Sequence, residues 1–228
     1  MTTTAVRSLR DVIDPTLIDQ LANAVVASPR ADRHTVLAPF TGQRLAEVAV
    51  STPDDVVAAY AAAREAQRSW AGRPVGERAR IIGRIHDLAL DRQSQIADLV
   101  QTESGKARKD AFEEIAYFAL AARYAAVRGP RVLRDQRRAG LVPGLTRAIE
   151  VRHAKGVVGV ISPWNYPLVL AVADTLPAFV AGNAVVHKPD PQAPLSALLA
   201  RSIAVEAGLP EGLWQIVVGD GPTIGGAV

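Results

Sequence analysis

Residues 156–161 read Gly-Val-Val-Gly-Val-Ile, a nearly continuous β-branched run with no alternation of apolar and polar positions. Such a run suits a strand buried on both faces, as in a parallel sheet. The alternation that follows narrows the fold further. Residues 167–181 carry helical spacing, 184–187 read as a strand, 192–207 as a helix and 213–218 as a strand, and Pro222 opens the first turn of another helix. This βαβαβα order with short connections predicts an α/β fold, an incomplete doubly wound, Rossmann-like parallel sheet. The chain ends at Val228 inside that last helix, and three strands with an open edge make a poor stopping place, so further chain is expected beyond it.

Upstream, the periodicity is that of helices and a hairpin. Residues 10–28 place Val12, Ile13, Leu17, Ile18, Leu21 and Val25 at helical spacing, which predicts a helix or two interrupted near Pro15. In residues 34–50, two short apolar runs flank the turn sequence Pro-Phe-Thr-Gly at 39–42, which predicts a hairpin. Ser51-Thr52-Pro53-Asp54-Asp55 supplies an N-cap, a proline for the first helical position and acidic residues for the first turn of a helix reaching about Trp70. One helix is expected over 75–103, stopping near Gly105, and another over 107–127, ending at Gly129-Pro130. Residues 132–153 lose helical period and predict a β connector around a turn at 142–145.

Composition removes several function classes. Hydrophobic residues make up 49% and charged residues 21% of the 228, ordinary for a chain that folds around a core. The most apolar stretch, 167–186, carries Asp174, Pro177, Gly182 and Asn183, so no membrane span is expected. The first residues lack the apolar core of a secretory signal, and a cytoplasmic location is the expectation. With no cysteine the chain has no disulfide, thiolate ligand or thiol nucleophile of its own. The 26 basic and 23 acidic residues are interspersed for a formal charge of +3, and the densest basic cluster, at 128–138, contains no aromatic residue, so no nucleic-acid partner is expected. His34, His86, His153 and His187 lack metal spacing, and no metal is expected. Glu113 and Glu114, adjacent on a helix, point to different faces and do not form a catalytic pair.

Ligands of a doubly wound sheet sit beyond the carboxyl ends of its strands. The residues in question are therefore 162–167 (Ser-Pro-Trp-Asn-Tyr-Pro), 188–192 (Lys-Pro-Asp-Pro-Gln) and 219–225. Taken alone, Asn165 suits a cap for the following helix as well as a donor to a developing negative charge. Pro163, Trp164 and Ile161 suit ordinary core as well as a cleft lining. Lys188, one of four lysines, stands at a strand end where a lone cation is costly unless it faces a ligand, the alternative being an exposed lysine in a turn. Gly219, Gly221 and Gly225 miss the G-x-G-x-x-G spacing by one position and by themselves indicate only a helix-start turn. Glu103-Ser-Gly-Lys106 reads as a helix stop without chemistry.

Five motifs in order, GVVGVISPWNYP at 156–167, PAFVAGN at 177–183, VVHKPD at 185–190, AGLPEG at 207–212 and VVGDGPTIGGAV at 217–228, resemble the aldehyde dehydrogenase superfamily. The likeness extends upstream through APFTG at 38–42 and ESGK at 103–106, and within the superfamily it is closest in character to bacterial succinate-semialdehyde dehydrogenases. The resemblance implies NAD(P)-dependent oxidation of an aldehyde to a carboxylic acid: a cysteine thiolate adds, hydride passes to nicotinamide, and a glutamate activates water. It assigns Asn165 to the oxyanion hole, and Ile161, Pro163, Trp164, Asn165, Lys188, Pro189, Asp190, Pro191 and Gly221 to the cofactor. Where many NAD-preferring members place a ribose-binding glutamate, this chain has Pro191, which implies NADP, while Asp190 argues for NAD. The resemblance also divides the chain into an amino-terminal helical part of the cofactor-binding domain (1–130), a connector with oligomerisation strands (131–155) and an incomplete nucleotide-binding region (156–228). A homo-oligomer is implied for the whole protein. The cysteine and the glutamate would lie beyond Val228, so the 228 residues alone are expected to be inactive. The alternative is a non-catalytic relative that binds nucleotide or dimerises.

Overall fold

The computed structural model describes residues 12–142 and 145–228. Helix α1 (Pro15–Ala22) is started by Asp14, whose carboxylate accepts from Thr16 N at 2.9 Å; Val12 before it is helical too, and the expected interruption falls at residues 13–14, with Pro15 opening the new helix. It ends well before residue 28. Strands β1 (Arg33–Leu37) and β2 (Arg44–Ala49) form the expected antiparallel hairpin. Helix α2 (Pro53–Ala71) begins with a reciprocal capping box between Thr52 and Asp55.

Two expected boundaries move. The helix over 75–103 is divided into α3 (Val75–Asp91) and α4 (Gln93–Ser104) at Arg92; α3 packs mainly on the next long helix, and α4 packs both on that helix and on a later one beside the sheet. Gly105 ends α4 with φ +74, a conformation that favours glycine. Helix α5 (Arg108–Val132) runs straight through Gly129 and Pro130. A Cβ on Gly129 would come within 2.4 Å of Val180 Cγ1, so this glycine serves a close helix approach and not a stop. Pro130 falls in the last turn, where it withholds an N–H from the carbonyl of residue 126, and the helix ends two residues later.

Strands β3 (Gln136–Arg138) and β4 (Ala148–Glu150) pair antiparallel in the expected connector. The parallel sheet follows: β5 (Val157–Ser162), β6 (Ala184–Pro189) and β7 (Trp214–Ile216), in the order β5-β6-β7. Between β5 and β6 the single expected helix is two short ones, α6 (Pro167–Val172) and α7 (Thr175–Val180); α8 (Leu195–Glu206) joins β6 to β7, and α9 (Gly221–Ile224) follows. The outer edge of β7 is occupied by residues from the start of the chain, since Val26 N donates to Ile216 O at 2.8 Å and Ser51 N to Val218 O at 2.7 Å.

Every residue of β6 is buried, as its sequence requires, but β5 departs from the expectation of burial on both faces: Gly159 is exposed and Ile161 is 59% exposed. The β-branched residues reflect the parallel pairing, while burial depends on what covers the strand, and β5 is an edge.

The helical layer is wired to the sheet layer through polar side chains. The carboxyl end of α7 receives Trp70 Nε1 on Phe179 O (2.8 Å), Arg78 Nε on Val180 O (3.0 Å) and Gln67 Nε2 on Gly182 O (3.0 Å). The carbonyls at this helix end thus receive donors from α2 and α3, in addition to Gly182 N on Phe179 O at 2.9 Å. No described helix is long and apolar enough to cross a membrane.

Candidate functional site

The parallel register pairs Ile161 with Lys188 and Ser162 with Pro189. The turns after β5 and β6 therefore open at the same end of the sheet, the end from which the chain leaves β7 toward α9. Most of the sequence-predicted residues gather there. Pro163, Trp164 and Asn165 are exposed on the first turn, with Trp164 52% accessible and Ile161 59%, so the reading of Ile161, Pro163 and Trp164 as core does not hold. Ile161 on β5 is exposed beside them.

Lys188 is 5% exposed, so it is not a solvated turn lysine. Among the described residues no carboxylate lies within ion-pair distance of it. Asp190, two residues on, spends its carboxylate on its own loop: Oδ1 accepts from Gln192 N at 2.9 Å. Pro191 beside it is half-buried. The carboxyl of Asp220, which caps α9, lies below the usual range because Thr223 donates to it and, to a smaller extent, because Lys188 is near. Gly221 is exposed, and a Cβ there would meet nothing within 4 Å, so the chain itself does not require glycine at this position.

Asn165 does not cap α6. Its Oδ1 accepts from Tyr166 N at 3.2 Å, one residue on, and the helix takes its cap from elsewhere. Glu114, on α5 and fully buried, accepts from Leu168 N at 2.9 Å and Val169 N at 3.0 Å. Lys106 pairs with the other Glu114 oxygen, donates to Asn165 O at 3.1 Å, and stands 4.6 Å from the centre of the Tyr166 ring. Glu114 and the exposed Glu113 do face different ways, as their adjacency dictates.

Glu103 does the same for α8. Buried at the end of α4, it accepts from Leu195 N, from Ser196 N at 2.8 Å and from the Ser196 hydroxyl. Burial pushes its carboxyl up to about 7, against the pull of those donors. The ESGK segment thus ends a helix, as Gly105 dictates, but it is not idle: Glu103 and Lys106 reach both turns of the site. Their role was hidden because contacts made across 92 and 59 residues leave no local pattern.

Between the two turns Ser162 Oγ and His187 Nε2 lie 2.7 Å apart in the buried sheet, and His187 stacks on Trp214. Nδ1 has no partner among the described residues. The less costly tautomer therefore carries its proton on Nε2, toward Ser162, because a stranded lone pair costs less than a stranded N–H. Burial, with Lys188 adjacent, pushes the imidazole down to about 3.

Residues 26–228 match the pattern of the Aldehyde dehydrogenase family, and the chain belongs to that family. It is 48% identical over 189 residues to a protein of Mycolicibacterium smegmatis provisionally named succinate-semialdehyde dehydrogenase (NADP+), a match that covers 83% of this chain and 37% of that protein. The crystal structure of succinate-semialdehyde dehydrogenase from Burkholderia pseudomallei superposes with a TM-score of 0.86 at 31% identity, over 94% of this chain and 45% of that one. An NAD-dependent benzaldehyde dehydrogenase from Corynebacterium glutamicum gives 0.81 at 36% identity, over 88% and 43%. The chain thus spans less than half the length of these proteins, and over that span it shares their α/β nucleotide-binding fold.

Proposed function

We propose that this chain forms the NADP-binding face and contributes the oxyanion donor of an aldehyde dehydrogenase that oxidises succinate semialdehyde to succinate. The observation that carries the nucleotide reading is Lys188, a buried cation with no carboxylate partner among the described residues, held level with exposed Ile161 at the carboxyl end of a parallel sheet. A ribose hydroxyl or a 2′-phosphate would supply the missing partner. Asp190, bound to its own loop, and Pro191, which has no charge, leave little to repel a phosphate there. NADP+ would supply the hydride acceptor, with Ile161, Pro163 and Trp164 offering apolar surface, Pro189 shaping the turn, and Gly221 giving open space for close approach.

Asn165 fits the oxyanion role because Tyr166 N takes its Oδ1, which turns the amide NH2 outward as a donor that does not titrate. That NH2 would meet the oxygen that becomes negative when a thiolate adds to the aldehyde. The NADP+ in the name of the Mycolicibacterium relative and the substrate in the names of two relatives support the finer assignments. The family's thiolate comes from a cysteine, and these 228 residues contain none, so they carry out no turnover by themselves.

The test is a titration of the chain with NADP+ and NAD+, followed through quenching of Trp164, the exposed tryptophan beside fully buried Trp70 and Trp214. NADP+ should bind the more tightly. Lys188→Met should remove a charge-assisted contact of about 1.5–3 kcal/mol, a weakening of roughly tenfold to a hundredfold. Binding that Lys188→Met leaves unchanged would sink the nucleotide reading, and NADPH formation from succinate semialdehyde by the chain alone would sink the claim that it is inactive.

A further inference from the structure

We infer that Lys106 and Glu114 are positioning residues that hold Asn165 in place through a buried ion pair reaching across from the helical layer; this rests on the reading of Asn165 as the oxyanion donor. Helix α6 lacks a cap of its own, since the Tyr166 side chain makes no capping bond and Pro167 has no N–H to offer. The next two amides, of buried Leu168 and half-buried Val169, would be stranded without an acceptor. Glu114 takes both on one oxygen and gives the other to Lys106.

Lys106 then extends the same fixture one step toward the site, donating to the carbonyl of Asn165 and lying against the ring of Tyr166. Peptide units at 165, 168 and 169 and the ring at 166 thus share one anchor, and the anchor is 0% exposed at Glu114 and 13% at the Lys106 side chain. Low accessibility makes such a pair stiff, because water cannot substitute for either partner. The Asn165 amide is oriented next, since its Oδ1 accepts from Tyr166 N at 3.2 Å and leaves the NH2 to donate elsewhere. An oxyanion donor is useful only if it is already aimed when charge develops. A loose turn would keep the amide but lose its aim.

Hydrogen exchange on the 228-residue chain tests this. In the unaltered chain the Leu168 and Val169 amides should be strongly protected; if they exchange as freely as exposed turns, the inference fails without any variant being needed. Lys106→Met and Glu114→Gln should accelerate exchange in residues 164–170 at least tenfold and make Trp164 more accessible to acrylamide, while the amides of Leu195 and Ser196, which Glu103 caps, keep their protection. Lys106→Arg should restore most of the protection by keeping the charge. A purely structural role predicts instead that all regions loosen together and that arginine rescues no better than methionine; either result overturns the inference. Nucleotide titration of the unaltered chain is scored separately: a chain that shows the local effects but does not bind NADP+ refutes the nucleotide reading and leaves the anchor standing.

Discussion

Helices α6 and α8 leave the same end of the sheet, and neither caps its own first turn. Each is capped by a buried glutamate from the helical layer, Glu114 for α6 and Glu103 for α8. The difference lies in the counterion. Glu114 has Lys106 within ion-pair reach, whereas Glu103 has only the donors of Leu195 and Ser196, and burial pushes its carboxyl up to about 7. The turn that carries Asn165 is thus held by an ion pair, and the turn that carries Lys188 by a carboxylate that gains its charge near neutrality. The turn held by Glu103 should therefore respond to pH near neutrality.

The largest effect should come from breaking the paired side. Glu114→Leu strands the Lys106 ammonium and two amides together, a loss of about 3–5 kcal/mol, read as the midpoint of urea unfolding. If Glu114→Leu costs less than 1 kcal/mol, the ion pair does not hold the first turn.

The unpaired side should appear in the pH dependence of stability. The folded pKa of Glu103 is raised, so the stabilisation is fully present below the unfolded value near 4.5 and is lost as pH rises through about 7. The whole span amounts to about 3 kcal/mol. Subtracting the unfolding free energy of Glu103→Gln from that of the unaltered chain between pH 4.5 and 8 isolates this contribution, and a flat difference curve would contradict it.

His187 works in the opposite direction at the same end of the sheet. Its folded pKa is lowered to about 3, so the unfolded chain takes up the proton first, and stability falls as pH drops below about 6.5. The expected loss by pH 5 is about 2 kcal/mol. His187→Asn should remove it, as read from unfolding midpoints at pH 5 and pH 7.5; an unchanged difference between the two pH values would mean that His187 is not the group responsible. Over pH 4.5–6.5 the two buried groups oppose each other, so the unaltered chain should look less sensitive to pH than either variant.

The contrast between the two turns could not be read from the sequence, and the reason is physical. Local signals survived folding intact: Thr52 and Asp55 form their capping box, Gly105 takes the left-handed conformation, and the β-branched run at 157–162 pairs parallel with 184–189. Signals with two possible causes misled. Gly129 looks like a helix stop but serves a close approach to Val180, and no breaker marks Arg92, where the helix divides. The exposed site residues sat where strand ends predict them, whereas the buried acids that hold them act across 54 and 92 residues.

Gly221 gives the smallest effect and the sharpest separation of fold from site. Replacing a glycine usually mixes strain with lost contacts, but here the backbone is not left-handed and an added Cβ meets nothing within 4 Å. Gly221→Ala should therefore change stability by no more than about 0.5 kcal/mol, as for a surface position. Any weakening of NADP+ binding that it causes must then come from the methyl group meeting the nucleotide. Gly219 is the control on the same turn, because its Cβ would stand 2.9 Å from Ile224 Cδ1. Gly219→Ala should lower stability and binding together, while Gly221→Ala should lower binding alone. If both substitutions leave NADP+ affinity unchanged, the third turn takes no part in the site, and nucleotide recognition rests on the two turns that the buried glutamates hold.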